Sequence, residues 1–230
     1  MYKTITLFHG SENIIDAPTF GVGKKNNDFG LGFYCTENED LAKEWAVSTL
    51  QDGFANRYRL DTEYLKILNL NSSDYTILNW IAVLVEHRFF SLKTPLARRA
   101  KQYLIDHFGM NVNAFDLITG YRADDSYFDF AEAFLNNAIS VEQLANAMYL
   151  GKLGEQIVIK SKFAFSKLRF EGCTIAEKDK YYTQRQTRTA EANQTYLNIL
   201  EEDDDGLYIR DIIRGEIQND DPRIPRNLSK

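Results

Sequence analysis

The amino-acid sequence predicts an α+β fold. Thr4 to His9 and Glu155 to Lys160 alternate and are β-prone, as strands are. The chain between them holds several stretches with helical spacing, so the strands flank a largely helical middle. No internal repeat and no proline-rich linker divides the chain, which has only four prolines in 230 residues. One compact unit with a full-sized core is therefore expected.

After the first strand comes a loop from Gly21 to Gly32, rich in Gly, Asn and Lys. Acidic residues Glu37 to Asp40 then open a helix that carries Leu41, Trp45 and Leu50 at helical spacing. Tyr64 to Leu70 is a second strand candidate. Ile77 to Phe90 and Leu96 to Phe108 read as helices around Pro95, and Gly109 is placed to end the latter. Phe115 to Thr119 reads as a strand, and Phe128 to Ala138 and Val141 to Leu150 as helices. From Asp179 the chain turns polar. Lys180 to Leu200 has helical spacing, Glu201 to Asp205 is a solvated acidic block, and Tyr208 to Ile217 is amphipathic.

Composition narrows the function classes. Hydrophobic and charged fractions of 44% and 26% are those of a soluble globular protein. A formal net charge of -6 disfavours non-specific nucleic-acid binding, which relies on Lys and Arg neutralising phosphates. Two cysteines, Cys35 and Cys173, have no metal-ligand spacing and suggest a reducing compartment. The start of the chain lacks the basic stretch and apolar run of a secretory signal. The longest apolar stretch, near Trp80 to Val85, is too short to cross a bilayer. A cytoplasmic protein without a membrane partner is expected.

Three segments carry candidate chemistry. Leu7-Phe8-His9-Gly10-Ser11 puts an imidazole at a strand end beside backbone that a planar ligand can approach. Asp28-Phe29-Gly30-Leu31-Gly32-Phe33-Tyr34-Cys35-Thr36 has two close glycines for a tight bend ahead of Tyr34. Trp45, eleven residues on, offers a second flat wall, and a slot between two aromatics suits a nicotinamide ring. Gly154-Glu155-Gln156-Ile157-Val158-Ile159 opens a late strand with a glutamate. In a strand Glu155 and Gln156 point to opposite faces, so only one of them faces a cleft. Glu155 is assigned there, and a one-residue slip puts Gln156 in its place.

In order, spacing and chemistry these segments resemble the ADP-ribosyltransferase superfamily, specifically its diphtheria-toxin-like and poly-ADP-ribose-polymerase-like branch. That branch carries His-Gly-Ser, Phe-Gly-x-Gly-x-Tyr, a later aromatic and a strand-opening glutamate. The sequence also resembles an uncharacterised bacterial family often encoded with a small partner in toxin–antitoxin-like pairs. This second likeness runs through Gly120-Tyr121-Arg122-Ala123-Asp124-Asp125-Ser126-Tyr127-Phe128 and Leu150-Gly151-Lys152-Leu153-Gly154-Glu155-Gln156, and covers most of residues 1 to 170.

The resemblance implies a split β-sandwich over residues 1–175 with a helical insertion at about 76–150 and a C-terminal helical extension at 176–230. It implies NAD as co-substrate, no metal, a macromolecular acceptor (protein before nucleic acid) and a small antitoxin-like partner. His9, Tyr34 and Glu155 become the catalytic set, with Gly10, Ser11, Phe29, Gly30, Gly32, Trp45 and Arg122 around the ligand. Nicotinamide would lie between Tyr34 and Trp45 and bond the backbone of Gly10. His9 would donate to a ribose hydroxyl, and Glu155 would stabilise the charge that develops on the ribose. The polymerase-like branch has a serine eight residues after the tyrosine, where this chain has Ala42, so one ligand hydrogen bond is missing or comes from Ser11.

Arg122 has two readings, in a polar knot where Asp124 or Asp125 suits a helix cap while the arginine fork suits a pyrophosphate or the acceptor. The Asp124, Asp125, Asp129 spacing lacks the Gly and Glu of a calcium loop. His87 and His107 are expected to be packed or surface histidines rather than catalytic ones. NAD hydrolysis and a degenerate NAD-binding module are the alternatives to transfer.

Overall fold

The computed structural model describes residues 4–123, 125–150, 154–201 and 205–227. Its strands are β1 (Thr4–Ser11), β2 (Phe33–Cys35), β3 (Gly53–Asp61), β4 (Ile67–Asn69), β5 (Leu117–Tyr121), β6 (Glu155–Ile159) and β7 (Leu168–Ala176). The helices are α1 (Glu39–Ala46), α2 (Ile77–His87), α3 (Pro95–Phe108), α4 (Asp125–Leu135), α5 (Val141–Leu150), α6 (Lys162–Ser166), α7 (Lys178–Glu201) and α8 (Ile209–Arg214). This is an α+β fold with two small sheets. One is antiparallel with order β1-β3-β7; the other has order β2-β6-β5-β4, antiparallel except for β4 beside β5.

The two larger of three buried clusters pack against the second sheet, one on each face. Leu7 and Leu60 from the first sheet meet Cys35, Leu117, Ile157 and Ile159 from the second in a small cluster between them. The other face of the second sheet, through Leu68, Ile118 and Val158, joins a large helical core built around Trp80, Phe130 and Phe134. Alternation along β6 thus sends Ile157 and Ile159 between the sheets and Val158 toward the helices. Ala192 and Ile199 of α7, and Ile209, Ile212 and Ile213 of α8, join that same helical core. The amphipathic stretch from Tyr208 to Ile217 therefore spends its apolar face on packing.

Several elements depart from the sequence expectation. β3, the central strand of its sheet, is absent from it. Its outward positions carry Arg57 and Arg59, which pair with Glu171 of β7 at 3.3 and 2.7 Å, so the segment reads as polar. Its buried Asn56 is fully used by neighbouring backbone, accepting from Ile15 N at 2.9 Å and donating to Asn13 O at 3.1 Å. The strand expected from Tyr64 shrinks to β4, because Tyr64 adopts a left-handed turn conformation at φ 62°. α1 stops at Ala46, where Val47 is extended, and Leu50 is left 84% exposed beyond it. α2 ends three residues early, at His87, where Arg88 turns extended. Within the stretch at about 76–150 the strand expected over Phe115 to Thr119 is β5, which pairs with β4 and β6. Asp124, Gly151, Lys152, Leu153 and Glu202 to Asp204 lie outside the described residues. Among the described residues no helix is long and apolar enough to cross a membrane.

Candidate functional site

His9, near the end of β1, is the first wall of a cavity. Its Nδ1 lies 2.7 Å from the Tyr34 carbonyl oxygen, which can only accept, so Nδ1 carries the proton. Burial holds the imidazole below its usual pKa, against the opposing pull of that carbonyl, so the neutral ring is favoured. Nε2 is then an acceptor. The expectation that His9 donates to a ligand hydroxyl is thereby reversed: a hydroxyl would donate to His9. The ring also stacks at 4.4 Å on Phe33, which fixes its tilt.

Gly10 follows on the same strand and lines the cavity. A Cβ there would sit 2.0 Å from the Ala42 carbonyl oxygen and 2.9 Å from Trp45 Cβ. Only glycine lets β1 run this close to α1. That helix starts at Asn38, whose side chain accepts from Leu41 N at 3.1 Å, with Glu39 and Asp40 in its first turn. At its other end Glu44, nearly buried, pairs with Arg188 of α7 at 2.5 Å. α1, and Trp45 with it, is thus clamped between the first sheet and the C-terminal helix.

Tyr34 is anchored at its hydroxyl, which accepts from Phe29 N at 3.0 Å and donates to Gly30 O at 2.6 Å. Burial raises its pKa, so it stays a neutral phenol. Gly30 has φ 73°, and a Cβ on it would meet His87 Cδ2 at 2.5 Å. Here the bend read from the two glycines is realised as a close approach to α2. Lys160 Nζ donates to Phe29 O at 2.7 Å, and burial pulls its pKa down to about 8. An unfolded lysine keeps its ordinary value near 10.5, so between about pH 8 and 10.5 the unfolded chain binds more protons. The stability that Lys160 contributes is lost as pH falls through about 8 and returns as pH rises toward 10.5. In urea melts at pH 7 and 10, wild type should gain stability relative to Lys160→Met at the higher pH; a gap that stays constant or shrinks contradicts this.

The cavity floor is polar. Asp28, 5% exposed, accepts at Oδ2 from Gln156 Nε2 at 2.8 Å and from Ala123 N at 2.9 Å. Arg88 Nη1 lies 3.6 Å from its other oxygen. Burial pushes the Asp28 carboxyl up, while Gln156, Ala123 and the two arginines Arg88 and Arg122 pull the other way. Gln156 also donates to Tyr121 O at 3.1 Å, and that carbonyl accepts from Trp80 Nε1 at 2.9 Å as well.

His9, Gly10, Asp28, Tyr34, Trp45, Arg88, Arg122, Ala123 and Gln156, with Asn27, line one cavity of about 220 Å³. Arg88 also borders a neighbouring groove with Asn26, Phe89 and Phe128. Of the residues expected at the site, His9, Gly10, Tyr34, Trp45 and Arg122 therefore come together. The slot between Tyr34 and Trp45 is not simply open: the Arg122 guanidinium lies over the Trp45 ring at 4.6 Å. Trp45 Nε1 is buried with no hydrogen-bond partner among the described residues.

Five expected residues do not line the cavity. Ser11 accepts from Asn13 N at 3.2 Å and shapes the turn after β1. The Phe29 ring is fully buried in the helical core, and only its backbone serves the site. Gly30 and Gly32 are packing glycines against His87 and Val158 and do not line the cavity. Glu155 is the main correction. Gln156 shares the helix-facing side of β6 with Val158 and lines the cavity, whereas Glu155 alternates to the opposite side and is not among the lining residues. The register alternative is the one realised, because Ile157 and Ile159 fill the space between the sheets.

Asp28, Asn27, Arg88 and Ala123 escaped sequence reasoning as site residues. Asp28 stood in the quoted motif, but its burial depends on Gln156, 128 positions away, and Ala123, 95 away. Arg88 had no signal beyond its place at a helix end. His87 donates from Nδ1 to Val83 O, and His107 lies exposed beside the Tyr103 ring at 4.1 Å; neither lines the cavity.

A profile for a protein family of unknown function, DUF3990, matches residues 5–170, and the chain belongs to that family. The matched span holds every cavity-lining residue and excludes α7 and α8. No curated protein and no solved structure matches the chain.

Proposed function

We propose that the chain is an NAD-dependent mono-ADP-ribosyltransferase. It would break the bond between nicotinamide and ribose and transfer ADP-ribose to a macromolecular acceptor in the cytoplasm, a protein before a nucleic acid. The observation that carries this is convergence: His9, Gly10, Tyr34 and Trp45, from three separated parts of the resemblance, line one cavity.

Further features support it. The two facing sheets suit the split β-sandwich of that superfamily. A neutral His9 suits a ribose hydroxyl, and the flat walls of Tyr34 and Trp45 suit nicotinamide. Arg88 and Arg122 offer two guanidinium forks at the cavity for a diphosphate. At about 220 Å³ the cavity holds only part of a dinucleotide, and the groove beyond Arg88 offers room for more. This chemistry uses no metal. A toxin restrained by a small protein partner is the setting we infer from the same resemblance.

Incubation with labelled NAD and a bacterial lysate should release nicotinamide and label a macromolecule. His9→Ala should abolish both signals. Equal labelling by wild type and variant would sink the proposal, and rapid NAD loss without a labelled acceptor would select hydrolysis instead. One observation, the amide of Gln156 in the cavity, favours a module that binds NAD without cleaving it; NAD binding by calorimetry with no nicotinamide release would select that reading.

A further inference from the structure

Departure of nicotinamide leaves positive charge on the ribose, and a fixed carboxylate nearby lowers the barrier. The strand residue that faces the cavity is Gln156, whose amide carries no charge. Among the described residues that line the cavity there is one carboxylate, Asp28. It comes from the loop before β2 rather than from β6, yet Gln156 holds it: the amide Nε2 bridges Asp28 Oδ2 at 2.8 Å and Tyr121 O at 3.1 Å. Ala123 N donates to the same Oδ2 at 2.9 Å. Oδ1 pairs with Arg88 Nη1 at 3.6 Å, longer than a hydrogen bond. One oxygen is therefore fixed by two donors, and the other is held only by the longer Arg88 ion pair.

We propose that Asp28, oriented by Gln156 and Ala123 N, is the charge-stabilising carboxylate of the site, in place of Glu155. The assignment rests on the ADP-ribosyl transfer proposed above. In that reaction the bond between the ribose anomeric carbon and the nicotinamide nitrogen breaks, and its electron pair leaves with nicotinamide, which becomes neutral. The positive charge passes to the ribosyl group, where the Asp28 carboxylate would oppose it. An acceptor hydroxyl, amine or water then adds its electron pair to that carbon and releases a proton to solvent. Gln156 acts through Asp28 and is a positioning residue.

The test uses the full chain as wild type, Asp28→Asn and Glu155→Gln. NAD affinity is read by calorimetry and nicotinamide release by rate, across pH. Asp28→Asn should still bind NAD while its release rate falls about a hundred- to thousandfold, and Glu155→Gln should fall far less. The wild-type rate should rise with pH along one carboxyl ionisation, a limb that Asp28→Asn lacks. Loss of rate in Glu155→Gln with retention in Asp28→Asn overturns the assignment and leaves the transferase reading intact. A wild type that neither binds nor cleaves NAD overturns both. If melting shows that Asp28→Asn does not fold, Asp28→Glu and the wild-type profile decide: a rate flat between about pH 4 and 7 overturns the assignment.

Discussion

Trp80→Ala should lower the unfolding free energy by about 3–5 kcal/mol, the usual cost of emptying a large aromatic site in a packed core. Trp80 is 0% exposed and lies in the helical core, so its truncation leaves a buried cavity. The indole also donates to Tyr121 O at 2.9 Å, the carbonyl that Gln156 shares. Its loss should therefore loosen Gln156 and, through it, Asp28. Trp80→Phe keeps most of the volume and leaves the carbonyl its Gln156 donor, so it should cost only about 1–2 kcal/mol. Urea unfolding of both variants checks the pair. Equal losses would mean that packing volume is not what Trp80 supplies.

Gly10→Ala should be the most damaging small change at the cavity itself. The added methyl would meet a backbone carbonyl at 2.0 Å, and backbone cannot swing aside as a side chain can. α1 has to move off β1, and overpacking of this kind costs about 1–3 kcal/mol. Because Trp45 rides on α1 and the Glu44 to Arg188 pair ties the helix to α7, the shift carries one wall of the cavity with it. On the proposed function, NAD affinity should fall alongside stability. A variant within about 0.5 kcal/mol of wild type would show that α1 yields without strain, as ordinary surface changes do.

Local physics was legible in the sequence. Pro95 and Gly109 do bracket α3, and Val141–Leu150 forms the helix that its spacing implied. Gly30 bends the chain ahead of Tyr34 at positive φ. His9, Tyr34 and Trp45, which the resemblance grouped, do line one cavity. What escaped was set by distant partners. β3 went unseen since its charged face pairs with Glu171 more than a hundred residues on, and Phe29 looked like a ligand-facing aromatic until its ring was found in the core.

By itself, the sequence determined an α+β chain whose His9, Gly10, Tyr34 and Trp45 segments are shaped by nearest neighbours: a strand end, a glycine bend and a capped helix. Only the tertiary structure decided that Gln156 and not Glu155 faces the cavity, that Asp28 is buried there, and that Arg122 covers Trp45. The reason is that a strand's period of two leaves its facing open until both sides are packed. Here Ile157 and Ile159 close the gap between the sheets, Val158 joins the helices, and Gln156 follows by alternation to the side where Asp28 waits.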